Sequence, residues 1–257
     1  MKVFFFAALL MVTAISHQAS AQETKIKWFG HAAFSITTPK GKVLLIDPWL
    51  NNPSNPEVKN GKDPLASLSK VDYILLTHGH RDHVGDAVEI AKKTGAILIC
   101  NPELAGNLVK LADFPGKQAE TDAIMGIGGE IQIASGEVTV AMTAAVHSSS
   151  VFNPKAGPNE PERAYGGNPA GFIIIIKNGP TIYHSGDTAY FRTWKPSAKT
   201  IRSISRCSTS AATLEWNPGW RQKPRNQYAL SWPFPSTLEL FQASRKAPTV
   251  LPPNYES

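Results

Sequence analysis

The chain has 257 residues, 42% hydrophobic and 18% charged, a composition ordinary for a globular protein and long enough for a packed core in one large domain or two small ones. Its net charge of +6 is not the footprint of a nucleic-acid binder: from Thr193 onward nine Lys/Arg face three Asp/Glu, and the rest balances at 17 against 17. Two cysteines, Cys100 and Cys207, exclude a disulfide framework, and Cys100 at the end of an apolar run reads as a small buried hydrophobe.

Met1 to Ala21 has the form of a secretory signal peptide. Lys2 opens it, Val3 to Ile15 is apolar, and Ala19-Ser20-Ala21 offers small residues for cleavage. The apolar part is short for a membrane span, so the expectation is export, periplasmic or secreted, with no membrane attachment after cleavage. Ile26 to Ile36 alternates as a strand with a kink at Gly30, and Val43 to Ile46 is a second strand ending in Asp47-Pro48. Asp47 is a turn former by position alone. Asn51 to Asp63 is polar and rich in Asn, Pro and Gly, hence a loop.

Val71 to Leu76 reads as a buried strand and Val84 to Lys93 as a helix. Between them stands His78-Gly79-His80-Arg81-Asp82-His83, four potential metal ligands within six positions. Imidazole and carboxylate without a nearby thiolate suit zinc and related divalent metals such as manganese or iron. A strand-to-helix turn is also a rigid place from which several side chains converge on one ion. Ala96 to Cys100 reads as a strand, Pro102 to Leu111 as a helix, and Glu130 to Ile133 and Val138 to Thr143 as strands after a glycine-rich turn. His147 follows the last of these. A lone histidine there is usually structural, but a metal cluster upstream that lacks an imidazole makes it a ligand candidate. Val151 to Ala164, rich in proline and glycine, reads as a flexible loop able to cover a site. Ile173 to Ile176 and Thr181 to His184 read as strands, the latter leading into Gly186-Asp187-Thr188.

These motifs resemble the metallo-β-lactamase superfamily, and within it the small metal-dependent hydrolases related to ascorbate-6-phosphate lactonase. The likeness runs from about Lys25 to Arg192. It is carried by Gly30-His31-Ala32, Ile46-Asp47-Pro48, the His-x-His-x-Asp-His stretch, His147-Ser148-Ser149-Ser150, Gly166 to Phe172 with Asn168, and Gly186-Asp187-Thr188. The resemblance implies an α/β fold, the αββα sandwich. It implies one metal on His78, His80 and His147 and a second on Asp82 and His83, with Asp187 bridging. Two zinc ions would then hold a bridging hydroxide as nucleophile against an ester, lactone or phosphodiester. Asp82 and His83 are the catalytic candidates, Asp82 orienting the hydroxide or passing its proton on. Asp47 is expected to orient the histidine loop. His31 is expected at the edge of the site without ligating, or else as a packed core histidine. Ser148 and Asn168 are expected around the metals or against a small-molecule substrate, with nucleic acid not favoured as a partner.

After Arg192 the character changes. Thr193 to Ser257 holds four of the six Trp, no Asp and no sustained period, and no histidine follows His184. The resemblance would require a further strand, a Gly-Gly-x-Phe loop and a His-x-Gly-Thr-Phe-Pro motif whose histidine completes the metal site. Read one base out of frame from near codon 193, Ser210 to Trp220 permits Gly-Gly-(His or Asn)-Phe, and Pro235 to Phe241 permits Phe-His-Phe-Gly-Thr-Phe. The chain thus divides into a signal peptide (1–21), a hydrolase-like domain (22–192) and an atypical tail (193–257) read as a frameshifted end of that domain. The competing readings are a catalytically impaired metal-binding remnant and a divergent basic tail that binds a partner.

Overall fold

Strand-forming runs dominate the first hundred residues, and a computed structural model, which describes residues 23–189 and the strand Ile204–Cys207, gathers them into one sheet. β1 (Lys25–Trp28), β2 (Phe34–Thr37), β3 (Val43–Ile46), β4 (Tyr73–Leu75) and β5 (Ile97–Ile99) lie in that order. β1 to β3 are antiparallel, while β3, β4 and β5 are parallel, with Leu45, Ile74 and Leu98 in register. The central strands are aliphatic on both faces because both are covered. The expected kinked strand over 26–36 is in fact a hairpin. Gly30 and His31 take φ of 89° and 50° and reverse the chain, and Phe29 N–H donates to Ala33 O at 2.8 Å across the turn. Alternation continues on both sides of the reversal, so the sequence pattern does not mark it. Glycine is required at 30: a Cβ there would sit 2.6–2.7 Å from Asn52 Oδ1 and the Ser54–Asn55 backbone.

Helices cover one face of this sheet. The short α1 (Pro56–Lys59), capped by Asn55, lies inside the stretch expected to be all loop. The helix expected over 84–93 is divided into α2 (Arg81–Val84) and α3 (Ala87–Thr94). Gly85 breaks it at φ 46° and ψ −120°, where any Cβ would overlap the Trp49 backbone. Asp86 then accepts from Leu50 N (2.7 Å) and Asn51 N (3.0 Å), tying that backbone to the helices. α4 (Pro102–Ala112) begins where Asn101 accepts from Leu104 N with proline in the first turn, and α5 (Gly116–Ala119) follows. Ile90, Ala91, Leu104 and Leu108 bury against Leu45, Ile74, Leu76 and Leu98. Each such leucine or isoleucine contributes about 1.5–3 kcal/mol by leaving water.

The second sheet uses β6 (Glu130–Ile133) and β7 (Val138–Ala144), and the chain then forms a small hairpin of β8 (Ser150–Phe152) and β9 (Arg163–Tyr165). This hairpin pairs the two ends of the segment expected to be a flexible loop. β10 (Ala170–Ile176), β11 (Thr181–His184) and β12 (Ile204–Cys207) complete the sheet in the order β12-β11-β10-β7-β6, with β12 parallel to β11. Its inner face, Val138, Val140, Met142, Phe172, Ile174 and Ile182, packs on Ile36, Leu44, Ile46, Leu75 and Ile99 of the first sheet. Two ties join the sheets at opposite ends. Ala170 N–H donates to Thr77 O at 2.9 Å, and the buried Glu137 accepts from Thr38 Oγ1 and Lys40 N, each at 2.9 Å.

The described layers are therefore helix, sheet, sheet, as the sandwich requires. The expected outer helical layer, the signal peptide at 1–21 and the tail from 193, apart from β12, lie outside the described residues. No helix among the described residues is long and apolar enough to cross a membrane.

Candidate metal centre

The ends of β3, β4, β7 and β11 and the β1–β2 turn all open at the edge of the sandwich where Thr77 meets Ala170. Each delivers part of one cluster: Asp47 after β3, His78 and His80 after β4, Asp82 and His83 on α2, His147 after β7, Asp187 after β11 and His31 from the β1–β2 turn. The sequence spreads these groups over more than a hundred residues, and strand polarity alone brings them to one end.

Three overlapping groups place their donor atoms within 4.8 Å of one another: His78, His80 and His147; His78, His83 and Asp187; and His31, Asp82 and His83. In the first, His78 Nε2 and His80 Nδ1 are 3.0 Å apart, and the His147 ring stands 5.1 Å from each of theirs. Nitrogens sharing one tetrahedral zinc at about 2.0–2.1 Å stand roughly 3.3 Å apart, so this pair is spaced for a common ion. Asp187 Oδ2 lies 3.4 Å from His83 Nε2 and 3.7 Å from His147 Nε2, between the two halves of the cluster. His83 Nε2 is buried without a hydrogen bond, an orphan donor site of the kind a cation satisfies. The residues present thus fit a divalent metal.

Behind the cluster, Asp47 is wholly buried at φ 44° and accepts from Thr77 N (2.9 Å), Thr77 Oγ1 (2.7 Å) and His83 Nδ1 (2.8 Å). These bonds decide the tautomers. Since Thr77 gives its hydroxyl proton to Asp47, it accepts from His78 Nδ1 at 3.0 Å, which leaves the His78 Nε2 lone pair facing the cluster. The His83 Nδ1–H donated to Asp47 likewise turns Nε2 inward. Burial alone would raise the Asp47 carboxyl, but the neighbouring His83 charge and hydrogen bond hold it below its usual range. Burial would lower His83, yet Asp47 and Asp187 push it up to about 10. Burial, then the charge on His83, drives His78 down to about 3, so it is neutral and ready to ligate. Burial, with His147 beside it, also lowers His80.

Asp82 is the exposed carboxylate of the cluster, with 40% of its side chain open to solvent. Ser148 is exposed on the rim, its Oγ 3.4 Å from His80 Nε2. Asn168 is exposed, accepts from Tyr165 Oη at 3.0 Å, and offers its backbone carbonyl to Asn101 Nδ2 at 3.1 Å; these bonds shape its own turn and involve no candidate ligand. His184 is packed, with Nε2 against Ala32 O at 3.1 Å and Nδ1 accepting from Gly186 N at 3.2 Å. The sequence reading passed over Thr77, which links Asp47 to His78, and the part of Ser149, whose Oγ accepts from Gly79 N (3.1 Å) and donates to Gly166 O (2.9 Å) to fix the histidine loop. Thr77 directly precedes the motif, which was the available signal.

Compared with known proteins, residues 42–223 match the model of the Beta-lactamase superfamily domain, a span that continues past Arg192 and includes β12. A UPF0173 metal-dependent hydrolase of Thermodesulfovibrio yellowstonii is 48% identical over 195 residues, 76% of this chain and 70% of that protein. Another from Anaeromyxobacter dehalogenans is 52% identical over 171 residues, 66% of this chain and 58% of that protein, so the chain spans little more than half the length of some curated relatives it matches. Among solved structures, Igni18, a metallo hydrolase from the archaeon Ignicoccus hospitalis, is 32% identical with a TM-score of 0.48, over 66% of this chain and 63% of that one.

Proposed function

Since the chain belongs to the β-lactamase superfamily, we propose that it is a metal-dependent hydrolase holding two divalent cations, zinc first among them, and acting on an ester, lactone or phosphodiester in a small molecule. The observation that carries this reading is the position of Asp187 Oδ2 between His83 Nε2 and His147 Nε2, where its carboxylate would be shared by two cations. His78, His80 and His147 would hold one ion, Asp82 and His83 the other. Cations bound there supply Lewis acidity and a water ionised near neutral pH.

The chain's own residues do the rest. Asp47 and Thr77 lock the His83 and His78 rings, so the ligands are set before any ion arrives. Asp82, open to solvent at the cluster's edge, orients the attacking water and carries its proton to the leaving group. Ser148 on the rim offers a hydroxyl to a polar group of the substrate. Export, supported by the signal-peptide form of Met1 to Ala21, is part of the same proposal.

The test is metal content together with turnover of generic aryl ester and phosphodiester substrates. The expected result is two ions per chain, turnover abolished by chelation, and restoration by zinc. A chain that takes up no more than one weakly held ion and turns over neither substrate is the impaired remnant, a reading favoured by the absence of any histidine between residues 185 and 257.

A further inference from the structure

Building on the two-metal reading, we infer that His31 is itself a ligand of the second ion, completing the set begun by Asp82 and His83. Its Nε2 faces Asp82 Oδ2 at 3.6 Å, and its ring stands edge-on to His83 with centroids 5.9 Å apart. The donor atoms of the three residues fall within 4.8 Å of one another, the same criterion met by His78, His80 and His147.

Both ring nitrogens lack a hydrogen bond. Nδ1 is buried without a partner, and Nε2 is too far from Asp82 for a good one. His83 Nε2 is orphaned in the same way. One cation seated among His31 Nε2, Asp82 Oδ2 and His83 Nε2 would take the lone pairs of both Nε2 atoms; it leaves His31 Nδ1 without a partner, so the convergence of the three donor atoms carries the assignment.

The backbone is bent to place this ring. His31 is one of six non-glycine residues with positive φ among the described residues, and Asp47, which orients His83, is another. The turn is held by Trp28 Nε1 donating to His31 O at 3.0 Å, by the seat of Gly30 against Asn52 and Asn55, and by Trp49 edge-on to the imidazole at 5.3 Å. The hairpin thus supplies from the N-terminal side a third ligand for the ion held by Asp82 and His83.

The measurement needs no variant: load the full chain, labelled with nitrogen-15 at histidine, with cadmium-113, and record which ring nitrogens couple directly to the metal. The expected result is two cadmium ions per chain, with coupling at His31, His78, His80, His83 and His147 and none at His184. Two bound ions with His31 uncoupled overturn this assignment and leave the two-metal reading standing. Fewer than two ions overturn that reading, and the assignment with it. In a parallel zinc titration, His31→Gln, folded by its amide spectrum, should weaken the second ion at least about tenfold and leave the first unchanged. An unchanged second affinity refutes ligation by His31.

Discussion

Replacing Asp47 by Asn keeps the shape of a fully buried side chain and removes its charge. If Oδ1 still accepts from Thr77 N, the new amide NH2 lies against Thr77 Oγ1 and His83 Nδ1, both now donors. The hydroxyl can turn and accept. Protonated His83 cannot, and it loses a charge-assisted bond worth about 1.5–3 kcal/mol and the counter-charge that keeps it protonated; neutral, it can accept at Nδ1 only by carrying its proton on Nε2, the atom that would ligate. Breaking a buried ion pair costs about 3–5 kcal/mol, and neutralisation of His83 brings the expected loss to the lower end, about 3 kcal/mol. For a chain of this size that lowers Tm by roughly 6–12 °C. Freed of its partner, the His83 ring also loses its fixed tautomer, so zinc affinity should fall about 10–100-fold. Thermal melts of the metal-free protein and a zinc titration read the two effects separately. A Tm within about 2 °C of wild type, together with unchanged zinc affinity, would refute the role given to Asp47.

Metal uptake should also release a proton. His83, held up to about 10 by its two carboxylates, is protonated at neutral pH and must lose Nε2–H to ligate, so zinc affinity should rise about tenfold per pH unit from 7 towards 10; calorimetry in buffers of different ionisation heat counts the proton. Gly85→Ala should cost more than about 2 kcal/mol and lower metal affinity, because its Cβ meets the Trp49 backbone and α2 carries Asp82 and His83; urea melts beside Gly106→Ala, where a Cβ has open space, separate the effect from helix propensity. Asp72 is raised by burial but held below the usual carboxylate range by Lys42 and Val43 N–H. With its folded value depressed, its stabilisation is complete above the unfolded pKa of about 3.9 and disappears as pH falls through the folded one, so Asp72→Asn should lower stability at pH 7 and flatten the acid limb of the denaturation profile below about pH 4.

The strands of both sheets were legible because buried runs such as Leu44–Ile46 and Ile173–Ile176 are aliphatic without a break. The convergence of the candidate ligands was partly legible because four of them share one short loop. Distance in sequence hid the rest. The break at Gly85 is imposed by Trp49, thirty-six residues earlier, while the local pattern from Val84 to Lys93 is an unbroken amphipathic period. The β8–β9 pairing joins the ends of a proline-rich segment whose composition signals only irregular chain. Asp47 alone looks like a turn residue, and its three hydrogen bonds to Thr77 and His83 exist only once β3 and β4 lie side by side.

Glu137 stands at the end of the sandwich away from the histidines, buried and bound to Thr38 and Lys40. It joins the two sheets there as the Ala170–Thr77 bond joins them at the other end, where the candidate metal ligands lie: His78, His80 and His83 with the first sheet, His147 and Asp187 with the second. An ion held there, as proposed, would take ligands from both sheets. On the proposed function, an ion would join the sheets a third time, beside the Ala170–Thr77 bond and opposite the Glu137 bonds, so metal loading should stiffen the sandwich at the end where its candidate ligands meet.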